Sequence, residues 1–231
     1  NDNNSSVSAP HLGTMNNISV YIKFLGDLEF TDTRQFFDDK FNLPTGVSLK
    51  SYYNEVSYTQ FTISTTGYPA CAMTTNYSYT DTHPRSYFEP YNASTNPNGY
   101  NGDDERTFRE HTLLHDAITW INANSPVPPA LDIDGDLDGR VDNVCFIVRG
   151  GNGAWASLLW AHRWALYSVP TYINGKQVWD YTFQPESQVD VQTLCHEMFH
   201  ALGAPDLYHY DDGGLNISPV SEWDCPGQER R

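Results

Sequence analysis

His196 and His200 stand four residues apart, with Glu197 beside the first. On a helix that spacing puts both imidazoles on one face, where they can share a metal ion. Catalytic zinc takes three protein ligands and keeps a fourth position for water. A carboxylate next to the first histidine can take a proton from the zinc-bound water and later deliver it to a leaving amine. Gly203 comes three residues after His200, where a glycine can turn the chain with positive φ just past the helix end. That turn would swing Asp206 back under the metal as an oxygen ligand. The run from His196 to Asp206 thus reads H-E-x-x-H-x-x-G-x-x-D, with His196, His200 and Asp206 as zinc ligands and Glu197 as general base. A bare H-E-x-x-H needs helical context to mean this. Val191, Leu194, Cys195, Met198 and Leu202 supply it, as the core side of one helix.

A second group of residues suits a different cation. Asp132, Asp134, Asp136, Asp138 and Asp142 crowd one short stretch. With Asp134 as the first position, Asp136, Asp138, Gly139 and Asp142 take the third, fifth, sixth and ninth places of a calcium loop of the EF-hand kind. The twelfth place is Cys145, not glutamate, and a strand-like run follows where a helix should. This is no true EF-hand, yet a structural calcium site at Asp134, Asp136, Asp138 and Asp142 is expected, because carboxylates this close repel one another without a cation. The bland alternative is a solvated acidic turn.

Other histidines are weaker candidates. His111 and His115 share helical spacing but lack the glutamate and the glycine stop, so they are expected to decorate a helix flank. His162 lies in Trp160-Ala161-His162-Arg163-Trp164. It contacts substrate or bonds near the site, or the segment is aromatic core with a cation–π contact from Arg163; physical chemistry alone favours the core. Tyr208 either donates to an oxyanion or a ligand, or packs. Glu186 is left open in the same way.

The elements that must carry these residues follow from periodicity. Residues 18–25 read as a strand, 49–57 as a helix and 60–65 as a strand. Residues 68–100, rich in Pro, Asn, Thr and Tyr, read as irregular. Residues 107–122 form a helix with Phe108, Leu114, Ala117, Ile118 and Ile121 on one stripe and Asp103 or Asp104 as its cap. Residues 141–148 are a buried strand, 155–167 are ambiguous, and Asn174-Gly175 marks a hairpin. Residues 190–202 make the histidine-bearing helix, stopped by Gly203. The order is α+β without regular alternation. A flexible tail over 1–16 and one catalytic domain over 17–231 are expected.

The chain has 231 residues, 13 basic against 29 acidic, for a net charge of −16. That balance argues against nucleic acid and against anionic membranes, and no apolar run is long enough to span a bilayer. Residues 1–8 lack the basic and apolar regions of a signal peptide and read as what remains after one was removed. Plentiful Asn, Thr, Ser and Tyr with little Lys suit an extracellular protein. The four cysteines allow three full pairings, and Cys145 and Cys195 read as buried thiols at least as readily as disulfide halves.

Four ordered motifs together resemble the immune inhibitor A-like family of secreted bacterial metallopeptidases, a metzincin-related group. They are Ser51-Tyr52-Tyr53-Asn54-Glu55-Val56-Ser57-Tyr58, the stretch Asp134-Gly135-Asp136 through Val141-Asp142-Asn143-Val144, Leu159-Trp160-Ala161-His162-Arg163-Trp164, and His196 through Tyr208. The resemblance implies a zincin fold with a twisted mixed sheet, a backing helix at 107–122 and an active-site helix. It also implies one catalytic zinc, calcium, and protein or peptide substrates lying extended along an edge strand. One departure stands out. Only 25 residues follow Asp206, and Ser221-Glu222-Trp223-Asp224 is followed by no methionine. The methionine turn that metzincins place beneath the zinc does not follow there: either the sequence is truncated or altered at that point, or the lower, C-terminal subdomain is expected to be largely absent. The expectation is a secreted, monomeric zinc endopeptidase. The alternative is a non-catalytic calcium-binding adhesion or recognition module on a peptidase fold, for which Glu197 would have no chemical use.

Overall fold

The structure, a computed structural model, describes residues 9–153 and 157–205. Strand β1 (Gly13–Lys23) is followed by helices α1 (Arg34–Asn42) and α2 (Leu49–Val56) and strands β2 (Phe61–Tyr68) and β3 (Tyr79–Thr80). A 3-10 turn at Arg85–Phe88 leads to the long helix α3 (Gly102–Asn124) and strand β4 (Val144–Val148). Strands β5 (His162–Ala165), β6 (Tyr172–Ile173), β7 (Lys176–Gln177) and β8 (Asp180–Pro185) precede helix α4 (Val191–Ala201).

The main sheet runs β2-β1-β4-β8-β5, with β3 also paired to β1. Every pairing is parallel except β5 against β8, where His162 faces Phe183 and Ala165 faces Asp180. The sheet is therefore mixed, and the fold is a mixed α/β arrangement with several helices. Its centre is apolar on both sides, as parallel strands covered on both faces require. Ile18, Val20, Ile22, Val144, Phe146 and Phe183 pack with Leu113, Leu114, Ala117 and Ile121 of α3. On the opposite face Met15, Tyr21, Cys145 and Ile147 pack with Phe37 and Phe41 of α1, Leu49 and Tyr53 of α2, and Leu194, Cys195 and Met198 of α4. The long helix and the histidine-bearing helix thus lie on opposite sides of the sheet.

Several local expectations shift. Strand β1 begins at Gly13, inside the segment read as tail, because Met15 is wholly buried and pairs with Ile63. Helix α1 has no counterpart in the sequence reading. Its charged residues mask a buried pair, Phe37 and Phe41, and Thr33 caps it by accepting from the Phe36 N–H. Helix α3 starts at Gly102, and its first turn is held by the Glu105 carboxylate, which accepts from the Asn101 N–H at 2.6 Å. Phe108 is not on its buried stripe but 58% exposed; Glu110 and His111 take the inward positions. Asn174 and Gly175 both have positive φ in the β6–β7 turn, as a two-residue hairpin requires. Among the described residues no helix is long and apolar enough to cross a membrane.

Candidate active site

Helix α4 is defined at both ends by its own sequence. Asp190 caps it, its carboxylate accepting from the Thr193 N–H at 2.9 Å. At the far end Gly203 has φ +90°. The Gly203 N–H bonds the His200 carbonyl at 3.0 Å and the Ala204 N–H bonds the Phe199 carbonyl at 2.9 Å, the paired bonds of a Schellman stop. The helix buries Leu194, Cys195, Glu197, Met198 and Ala201 and leaves His196 and His200 half-buried. Helix α2 braces it: Tyr53 donates its hydroxyl to the Cys195 carbonyl at 2.9 Å, and Phe199 meets the rings of Tyr52 and Tyr53.

The two histidines converge. Their Nε2 atoms are 3.1 Å apart, with the rings at 85° to one another. Two nitrogens on one tetrahedral zinc, at about 2.0–2.1 Å each, stand roughly 3.3 Å from one another. His200 Nδ1 lies 2.9 Å from the Ala204 carbonyl. A carbonyl only accepts, so Nδ1 carries the proton and Nε2 presents its lone pair, the tautomer a metal-binding histidine needs. The glycine stop therefore also orients the His200 ring, because it turns the Ala204 carbonyl onto it. The described part of the site fits a zinc ion. Asp206 and Tyr208, like the segment Ser221–Asp224, lie outside the described residues.

Glu197 is 6% exposed, on the side of α4 that meets the sheet. A buried carboxylate is costly unless it is paired or hydrogen-bonded. Burial, with the nearby Glu197 charge, raises the Cys145 thiol to about 12. The same charge also helps raise His162.

His162 does sit in aromatic packing, but among the described residues no cation–π contact from Arg163 accompanies it. Arg163, the expected cation, instead pairs with buried Asp180. His162 lies between the rings of Trp160 and Phe183, and both its nitrogens are bonded. Nδ1 is 2.9 Å from the Trp160 carbonyl, and Nε2 is 2.8 Å from Oε1 of Glu110, which is 1% exposed. Tyr181 donates its hydroxyl to the same oxygen. Burial alone would raise the Glu110 carboxyl, but His162 beside it and the donated bonds outweigh that and hold it below its ordinary value. Burial likewise opposes charge on His162, and Glu110 reverses the effect and raises it. Glu110 escaped the sequence reading; its one signal there is an acid three residues before the buried Leu113-Leu114 pair.

His111 corrects another expectation. It is not on a helix flank but wholly buried, with Nδ1 2.7 Å from Ser168 Oγ, and burial lowers its pKa. His115 does lie half-exposed on the flank, 3.0 Å from Thr171 Oγ1. Glu186 is a structural tie: it pairs with Arg149 at 2.5 Å and accepts the Gly150 N–H at 2.9 Å. Cys71 is a half-buried free thiol, Cys145 a buried one, and Cys195 is buried as well.

In the acidic loop, carboxylate oxygens of Asp134, Asp136 and Asp138 lie within 4.8 Å of one another. Asp134 is 2% exposed and accepts from the Gly139 N–H at 3.2 Å; Asp138 accepts from the Arg140 N–H at 2.8 Å. Lys176 Nζ stands 2.5 Å from Asp134 Oδ2 and already neutralises part of the charge. Asp142 falls outside that group of three. It is buried, with Oδ1 accepting from the Gly135 N–H at 2.9 Å and Oδ2 without a hydrogen-bond partner among the described residues. Burial pushes its carboxyl up to about 7; the Gly135 bond opposes this, and Asp136, Asp132 and Asp134 add to it.

No protein-family model matches the chain. Part of it is similar to Immune inhibitor A of Bacillus thuringiensis subsp. alesti, with 31% identity over 114 residues. That match covers 40% of this chain and 16% of the relative, so the chain spans only a small fraction of the protein it resembles.

Proposed function

We propose that this chain is a secreted zinc-dependent endopeptidase that hydrolyses peptide bonds in proteins. The observation that carries the reading is the pair of imidazoles on α4, with Nε2 atoms 3.1 Å apart and His200 Nδ1 committed to the Ala204 carbonyl. His196 and His200 would hold the ion, with Asp206 as the third ligand. Zinc bound there supplies Lewis acidity, polarising a carbonyl and making a water acidic near neutral pH. Glu197 accepts the proton of the attacking water and passes it to the departing amine. Partial similarity to Immune inhibitor A supports the same class of chemistry.

Strand β5 would receive the substrate. It ends the sheet among the described residues and runs antiparallel to β8 beside the active-site helix. An extended peptide can add to such an edge through backbone hydrogen bonds. The acidic loop would hold calcium between Asp134, Asp136 and Asp138, with Asp142 as a further ligand. Its buried, unpartnered Oδ2 and raised pKa support a cation at that position.

Purified protein should carry about one zinc per chain and cleave an unfolded protein such as casein. A chelator should stop the cleavage. Glu197→Gln should abolish it while zinc stays bound. Unchanged cleavage in Glu197→Gln would overturn the mechanism.

A further inference from the structure

Glu110 is a fully buried acid in the middle of the apolar face of α3, bound to one imidazole and one phenol. Buried ion pairs seldom stabilise a fold more than well-packed apolar residues of the same volume would. The pair therefore calls for a role beyond stability. Its geometry supplies one. Glu110 belongs to the helix on one face of the sheet, whereas His162 is the first residue of β5, the edge strand beside α4. Tyr181 stands in the next strand, β8, where it pairs in register with Trp164. One carboxylate oxygen thus fastens the start of the edge strand to its neighbour and to the helix behind both.

The protonation pattern follows from the partners. The Trp160 carbonyl only accepts, so His162 Nδ1 carries a proton. Tyr181 donates to Glu110 Oε1, as a phenol does to an ionised carboxylate. The Glu110 carboxyl is held below its ordinary value, and against an ionised Oε1 a lone pair on His162 Nε2, 2.8 Å away, would be repelled. Both ring nitrogens are donors, so His162 is an imidazolium and Glu110 a carboxylate. The other titratable groups around it are His111 on α3, whose pKa burial lowers; Tyr181 on β8; and Glu197 on α4. Arg163, the next residue of β5, is taken up by Asp180.

We propose that the Glu110–His162 ion pair sets the position of strand β5 as the rail for an extended substrate, which makes His162 a positioning residue for substrate binding. This rests on the peptidase reading. A loosened rail would weaken binding equally in the ground and transition states, which raises KM and leaves kcat in place. The loss should grow with the length of substrate that pairs along β5.

The test uses the full chain as wild type, His162→Gln, Glu110→Gln and the double variant, with casein and with a short peptide as substrates. Zinc content and thermal midpoint are measured beside kcat and KM. The expected result is a KM for casein raised about tenfold or more in each single variant, with kcat within about threefold and zinc retained. The short peptide should be affected less, and the double variant should be no worse than the worse single one. Equal losses on both substrates, a fall in kcat with KM unchanged, or no change in either constant would overturn the proposal. Should the variants not fold, ring 15N shifts of wild type decide: an imidazolium at position 162 near neutral pH supports the pair, and a neutral ring ends it. If wild type holds zinc but cleaves nothing, the peptidase reading has failed and the rail falls with it, whereas the 15N shifts still report whether the ion pair exists.

Discussion

Tyr53 of helix α2 donates its hydroxyl to the Cys195 carbonyl of helix α4 at 2.9 Å, one residue before the first histidine of the site. Its ring also packs on Phe199, one residue before the second. The motif around Tyr53 and the histidine-bearing helix are 142 residues apart at this bond, yet they are one structural unit.

Tyr53→Phe should therefore cost about 1 kcal/mol of stability, the net worth of one hydrogen bond, while the ring contacts survive. For a chain of this size that corresponds to a thermal midpoint lower by about 2–4 °C. A thermal melt of the two proteins checks it, and an unchanged midpoint would show the bond to be without energetic weight.

Gly203→Ala tests the helix stop. At φ +90° a side chain is strained, so stability should fall by about 1 kcal/mol or more. Zinc affinity should fall with it, because the same turn aims the Ala204 carbonyl at His200 Nδ1. Losing the partner behind a ligand typically costs 10- to 100-fold, so about that loss in a zinc competition titration is expected.

Calcium should raise the thermal midpoint, and Asp138→Asn should blunt the response. Lys176→Ala should strengthen it, since Lys176 Nζ competes for Asp134 Oδ2 in the cation-free loop. A calcium response unmoved by either substitution would place the ion elsewhere.

The Glu110–His162 pair also predicts a pH dependence. Glu110 titrates below its ordinary 4.5 in the folded chain, so its contribution is present above 4.5 and is lost as pH falls through the folded value. His162 titrates above its ordinary 6.5, so its contribution is present below 6.5 and is lost as pH rises through the folded value. The stability difference between wild type and His162→Gln should be largest between pH 4.5 and 6.5 and shrink on both sides. Melts across pH check this; a difference that grows steadily in one direction would contradict the ion pair.

Local patterns in the chain already specified much of this protein. Helical spacing brought His196 and His200 to one face, Gly203 marked the stop, Asn174-Gly175 marked the hairpin, and the alternating aspartates marked the crowded loop. Each is a relation between residues only a few positions apart, which backbone geometry converts directly into a shared face or a turn. Other relations needed the tertiary fold. Glu110 and His162 are 52 residues apart, and nothing within either segment distinguishes a buried ion pair from a solvated acid and a core aromatic. Helix α1 hid behind its charges until Phe37 and Phe41 met Tyr21 and the rest of that core. Phe108 had the right period to be buried, and the face of α3 that meets the sheet left it in solvent. Burial, charge state and partner depend on which surfaces the sheet brings together, and sequence period alone carries no record of that distance.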